Sequence, residues 1–302
     1  MHFQAPKENN VMKTNFRLHE RSLSHALYVF VIVSTALLTM PKRASAQLYV
    51  TQEFAGTVSE YNETTGQLIN ANFITGLSEP NELVLSGDIL FVANTAGSVG
   101  KYDAKTGAAI NPSFITGTQF LPGGLALSRD ELFVQNAFDG TVGKYNANTG
   151  KAIKVHFITG LPTSSVAGLG LLGDKLFVAS AEAGTVGEYN ATTGKTIKAN
   201  FLKEAAVTPY GLAILGDKLI LASLGLGTIS QYDVKTGKLI KGNYITGLSM
   251  PAQIVLLGDT LFEANLGGGT VGEYNAKTGA VINAAFISGL SNPVGLAVKV
   301  AK

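Results

Sequence analysis

The sequence contains no cysteine and no tryptophan. The first absence removes disulfides, thiol nucleophiles and cysteine-ligated zinc together. Charge is scarce too: 15% of the 302 residues are Asp, Glu, Lys or Arg, against 46% hydrophobic. That balance supports a large core and excludes a disordered chain. Six basic residues (Lys7, Lys13, Arg17, Arg21, Lys42, Arg43) and two acidic ones (Glu8, Glu20) lie in the first 46 residues, leaving 17 basic and 19 acidic beyond them. Arg129 is the one arginine of that remainder. A faintly acidic region with a single arginine does not suit a phosphate backbone, so nucleic acid is excluded as a partner. No Gly-x-Ser-x-Gly elbow or HExxH motif is present, and no Lys-Ser/Thr follows the glycine run Leu266-Gly-Gly-Gly269 to make a phosphate cradle.

What is present begins with an address. Ala26–Met40 is a 15-residue, mostly apolar run that follows a basic segment and precedes Ala44-Ser45-Ala46. This three-part layout reads as a secretory signal peptide over residues 1–46, cut after Ala46. A retained anchor is the alternative, but a span needs about 20 apolar residues. The expectation is a secreted or periplasmic domain over 47–302 with no membrane span after cleavage. Lacking disulfides outside the cytoplasm, it must draw its stability from its core.

The remainder is one unit written six times. Tyr-(Asn/Asp)-x-x-Thr-Gly recurs at Tyr61, Tyr102, Tyr145, Tyr189, Tyr232 and Tyr274, with spacings of 41, 43, 44, 43 and 42. An aromatic follows each: Phe73, Phe114, Phe157, Phe201, Tyr244 and Phe286. Each unit reads as four short strands. In the second unit these are Glu82–Leu85, Leu90–Asn94, Ser98–Asp103 and Ala108–Ile115, separated by Gly-containing turns. No segment sustains a 3.6-residue period, so helices are not expected. Four strands in roughly 43 residues is the mark of a propeller blade.

The ends of the repeat region complement each other. Leu48–Gln52 matches a second strand and Val294–Lys299 a first strand, so the C-terminal strand completes the blade the N-terminus begins. The predicted fold is all-β: a six-bladed propeller with four antiparallel strands per blade, closed on itself. An open array would leave unpaired edges, and a linear solenoid would need distinct caps. Pro209-Tyr-Gly-Leu-Ala213, Pro293-Val-Gly-Leu-Ala297, Leu90–Asn94 and Leu176–Ser180 resemble NHL-type repeats. The resemblance covers essentially all of 47–302. It implies a propeller of the group that holds the SMP-30/gluconolactonase-like enzymes, which bind a divalent metal through carboxylate and Asn ligands, and many non-catalytic binding modules.

Candidate sites lie where the copies differ. The glycine of Pro-x-Gly is kept at Gly124, Gly168, Gly211 and Gly295, but Glu82 and Gln253 replace it elsewhere. Mid-second-strand residues are Val50, Val92, Val134, Val178 and Leu221, then Glu263. With the blade closed by the C-terminus numbered one, these departures fall in blades two and six. Second strands end in Gln52, Asn94, Asn136, Ser180, Ser223 and Asn265. Glu82, Glu263, Asn94 and Asn265 offer an oxygen-rich set suited to Ca²⁺ or Mg²⁺. Equally, the carboxylates could face water and the Asn and Ser residues cap strand ends. Gln52, Asn81, Asn136, Tyr210, Gln253, Phe54, Phe138 and Asp139 are the candidate ligand-binding residues. Most lie on the loops and links that open on one face by fold analogy. His156, the one histidine beyond residue 46, falls in a fourth strand away from the expected mouth. The charged positions Glu60, Lys101, Lys144, Glu188, Gln231 and Glu273 read as a solvated ring.

The expected function is binding: a loop face presented to an extracytoplasmic protein, glycan or small molecule. The alternatives are a metal-dependent hydrolase or lactonase, and a structural cell-surface or envelope module.

Overall fold

The computed structural model describes residues 46–117, 119–163, 167–203 and 208–300. The apolar run and the cleavage signature up to Ser45 lie outside the described residues. Six four-stranded antiparallel sheets form the six blades. Their first strands are Pro293–Lys299, Pro80–Ser86, Pro122–Ser128, Leu169–Leu172, Pro209–Leu215 and Pro251–Leu257, for blades one to six. Each lies beside the first strand of the next blade, and Pro293–Lys299 lies beside those of blades two and six. The ring is therefore closed. Blade one joins the two ends of the repeat region: Gln47 pairs with Lys299, Leu48 with Val298 and Val50 with Leu296. Besides strands, the described residues hold one 3₁₀ turn, Leu266–Gly268.

The recurring motif shapes both the turn and the wedge. Asp103 Oδ1 accepts the amides of Lys105 and Thr106 at 2.9 Å each, and Gly107 turns the chain with φ 73°. The same glycine sits against the preceding blade, where a Cβ would lie 1.9 Å from the Phe73 carbonyl oxygen. Two restraints thus meet at one position that only glycine satisfies. Tyr102 folds back over strand three, so a Cβ at Gly100 would meet its ring at 2.5 Å. Second- and fourth-strand aromatics pair inside blades, as in Phe91–Phe114 at 5.5 Å and Tyr49–Phe73 at 5.1 Å. Each apolar cluster joins facing sides of neighbouring blades; Leu48, Val50 and Tyr61 of blade one, for instance, pack on Phe262, Ala264 and Val271 of blade six. A blade alone would leave both faces wet, so burial rather than local propensity drives ring formation.

The ring of charged positions is not solvated. Glu60, Lys144, Glu188 and Gln231 are buried, and Lys101 and Glu273 half-buried. Lys101 Nζ donates to the carbonyls of Ala147 and Asn148 in the next blade, at 3.3 and 3.2 Å. Lys144 does the same to Ala191 at 3.3 Å, pairs with Glu131 at 2.8 Å and lies 5.0 Å over the Phe157 ring. Blade one carries Glu60 at this place, and Tyr49 and Lys299 donate to Ala104 O of blade two instead. These side chains bridge a turn to the blade behind it. The expectation of a solvated ring is therefore corrected: a polar residue at this repeat position faces the next blade rather than water.

Outermost strands bulge against their neighbours, and their first five residues are exposed. Half-exposed aliphatics such as Ile110, Ile153 and Val281 form an apolar rim. Bulging of an edge strand discourages further strand pairing.

Candidate functional site at the upper face and axial channel

Pairing places the functional loops at one end of the ring. Pro80 opposes Asn94, Asn94 opposes Ser98, and Ser98 opposes Thr116. The starts of first strands, the second-to-third-strand loops and the ends of fourth strands therefore share one face, called upper here. The residue before the first-strand proline adopts left-handed φ in three blades: Glu79 at 52°, Met250 at 56° and Asn292 at 56°. That geometry costs about 1–2 kcal/mol per residue. The carbonyls of these residues accept the loop amides of Thr95, Leu266 and Glu53, at 3.1, 3.2 and 3.1 Å. Sequence reasoning missed Glu79 and Asn292. Asn292 donates to the Glu53 carboxylate, and Thr95 donates its hydroxyl to Glu79 Oε2 at 2.8 Å.

Two polar bars close the upper end of the channel. Tyr210 of blade five reaches across to Asn81 of blade two, directly opposite in the ring. Asn81 Nδ2 lies 3.0 Å from the Tyr210 hydroxyl oxygen. Burial pushes the Tyr210 phenol well above its ordinary range. One residue further along the first strands, Gln253 Nε2 of blade six donates to Glu82 Oε1 of blade two at 2.5 Å. Glu82 Oε2 accepts the Leu125 amide of blade three at 3.0 Å. Blade one lies between blades six and two and presents Gly295 at this level. A Cβ there would lie 2.3 Å from the Asn81 carbonyl oxygen. The kept glycines thus let first strands touch, while the two departures span the channel. Burial raises the Glu82 carboxyl to about 8, and the hydrogen bonds from Leu125 and Gln253 act in the opposite direction.

The second-strand ends are held by their own surroundings. Gln52 donates to Ser59 at 2.7 Å and accepts the Ser291 amide at 2.9 Å. Asn136 accepts the Leu121 amide at 2.8 Å, and Asn265 accepts the Ser249 amide at 2.7 Å. Asn94 donates to Ser98 at 3.3 Å. Gln52, Asn136 and Asn265 thus fasten the links into blades one, three and six, whereas Asn94 Oδ1 and the hydroxyls of Ser180 and Ser223 are buried without a partner.

Glu263 lies elsewhere. It is 0% exposed, in the wedge between blades five and six. Leu261, which shares its face of the strand, packs there with Ile220, Ala222, Ile254 and Tyr274. Neither of its carboxylate oxygens has a hydrogen-bond partner. Burial alone raises it to about 8; burial, then the Glu263 charge, lifts the neighbouring Tyr274 phenol to about 12. Glu82, Glu263, Asn94 and Asn265 are not gathered around one point. Their surroundings do not fit a single Ca²⁺ or Mg²⁺. Among the described residues, no three His, Asp or Glu side chains are grouped as ion ligands.

Asn136, Phe138 and Asp139 do come together, in a cavity of about 530 Å³ beside the outer strand of blade two, lined also by Phe120, Thr141 and His156. His156 Nε2 lies 3.6 Å from Asp139 Oδ2, so this histidine borders the upper face despite its place in a fourth strand.

Fold and face together define a closed six-bladed β-propeller whose axial channel is stoppered at its loop end. No protein-family profile and no curated protein matches this sequence. Solved structures share the fold. A chain of a nidogen/laminin complex superposes with a TM-score of 0.71 at 12% identity, covering 85% of this chain and 99% of that one. A protein of unknown function from Bacteroides caccae gives 0.68 at 14% identity, covering 85% and 99%. The computationally designed Ika8 protein gives 0.51 at 19% identity, covering 79% and 73%.

Proposed function

We propose that this chain is an extracytoplasmic binding propeller that presents its upper face to a protein or glycan. One observation carries the reading. Phe54, Phe138, Leu226 and Met250 stand 78%, 49%, 49% and 43% exposed on loops or links of that face, around a channel end closed by Tyr210 and Asn81. A closed platform studded with large apolar side chains suits a broad partner better than a small molecule entering the axis. Glu53 and Asp139, the neighbours of Phe54 and Phe138 in sequence, add acidic groups beside the apolar anchors. A chain of similar fold within a nidogen/laminin complex supports the plausibility of macromolecular binding for this architecture. The signal-like N-terminus supports placement outside the cytoplasm.

Site-specific photo-crosslinking tests this. A photoreactive phenylalanine analogue is placed at Phe54 or Phe138 in the full chain, and at Ile153 or Val281 on the outer rim as controls. Discrete adducts from the upper-face positions alone are expected. Adducts from the rim positions alone would discard the reading.

A further inference from the structure

Below the Glu82–Gln253 bar the axial channel changes character. A cavity of about 420 Å³ runs from these two residues toward the lower turns. Glu82 and Gln253 are its only polar lining side chains among the described residues. Three residues beyond the bar, every blade supplies one large aliphatic: Val298, Leu85, Leu127, Leu171, Ile214 and Leu256. All six are half-buried, with one side toward the open bore. At the preceding position Ala126, Ala213 and Ala297 line it too, with Val84 and Val255 in two other blades. Main-chain polar atoms share the wall with these apolar side chains. Apolar side chains with convergent polar groups at one end are the usual composition of a small-molecule site, and this volume falls in the usual range of about 300–1,000 Å³.

We propose that this blind channel binds an elongated, uncharged apolar molecule ending in a hydrogen-bond acceptor, with its tail against the six aliphatics and its head at Gln253. A primary amide carries two N–H groups. One goes to Glu82, which leaves the other to meet a carbonyl or ether oxygen at the closed end. Among the described residues, no Lys or Arg lines the cavity to hold an anionic head. Glu82 spends one carboxylate oxygen on Leu125 and the other on Gln253, and burial favours its neutral form, so an ammonium head finds no ready counter-charge. At about 30 Å³ per water-sized unit, the space holds roughly a dozen heavy atoms. The loop-face reading does not depend on this site, since the two polar bars separate them.

Methyl NMR of the full-length chain, labelled at Leu, Val and Ile, tests the proposal with three probes of equal length: octan-2-one, octanoate and octylammonium. Octan-2-one is expected to shift the methyls of Leu127, Leu171, Ile214 and Leu256, and to bind at least tenfold more tightly than either ion. Ala213→Trp, which fills the bore, should abolish those shifts. Val84→Trp serves the same purpose if the first variant fails to fold. Gln253→Met should weaken octan-2-one about tenfold without moving the outer-rim signals. The proposal is overturned if octan-2-one shifts none of these methyls up to its solubility. Shifts confined to rim residues such as Ile153 and Val281, or an ion that binds as tightly as the ketone, overturn it equally.

Discussion

Glu82 and Glu263 are both buried and both raised to about 8, yet they live in opposite circumstances. Glu82 stands at the axis, where Leu125 and Gln253 donate to its two oxygens. Glu263 stands between two blades with both oxygens unpartnered. Five other blades fill the Glu263 position with Val or Leu. Burial alone therefore does not tell a working polar group from a costly one. The number of donors around it does, since a satisfied buried group is tolerated and an orphaned one is destabilising.

Three experiments break or sharpen that contrast. The largest effect is expected from Glu82→Leu, which leaves the Leu125 amide and the Gln253 side chain without their acceptor. Stability should fall by about 2–6 kcal/mol in urea titration, at roughly 1–3 kcal/mol for each of the two buried groups left unpaired. An unchanged midpoint would mean that the axial bar holds nothing. Glu263→Val should go the other way. It restores the repeat residue, removes an unpaired buried carboxyl, and should raise stability by about 1–3 kcal/mol in the same titration. A loss of stability would show that the wedge supplies a partner for this carboxyl.

The third effect is graded with pH rather than set by one variant at one condition. Both carboxyls are raised to about 8, so the folded state holds protons that the unfolded chain releases near pH 4.5. Stability from each is fully present below pH 4.5, declines as pH rises, and levels off above about pH 8. The slope per group is roughly 1 kcal/mol per pH unit. Glu82→Gln and Glu263→Gln should each flatten the decline measured by denaturation from pH 5 to 8, more than the same change at Glu53, Glu60 or Glu273, which burial also raises. A rise in stability over that range would contradict both assignments.

The fold was legible because a six-fold repeat forces every copy to make the same choice. Strand spans, hairpin turns and ring closure all follow from Tyr61 through Tyr274, and the pairing of Val294–Lys299 with Leu48–Gln52 follows from the incomplete units at each end. The departures were visible as departures: Glu82 and Gln253 stand where four blades keep glycine. Their contact was not legible, because it skips blade one and depends on the missing side chain of Gly295. Glu263 was legible as an oddity but not as an interface residue. Sequence offset does not say which neighbouring blade a second-strand side chain faces. The same ignorance placed Glu60 and Lys144 in solvent, and left His156 unconnected to Asp139.

The seam in blade one also decides how the molecule answers force. Gln47 at the start of one strand sits opposite Lys299 at the end of the other, so tension applied through the two termini loads their hydrogen bonds one after another rather than all at once. A wheel held shut by burial on every spoke therefore carries a single zip-fastener whose slider is at its own two tails. If tethered at both ends, this protein peels open from blade one first.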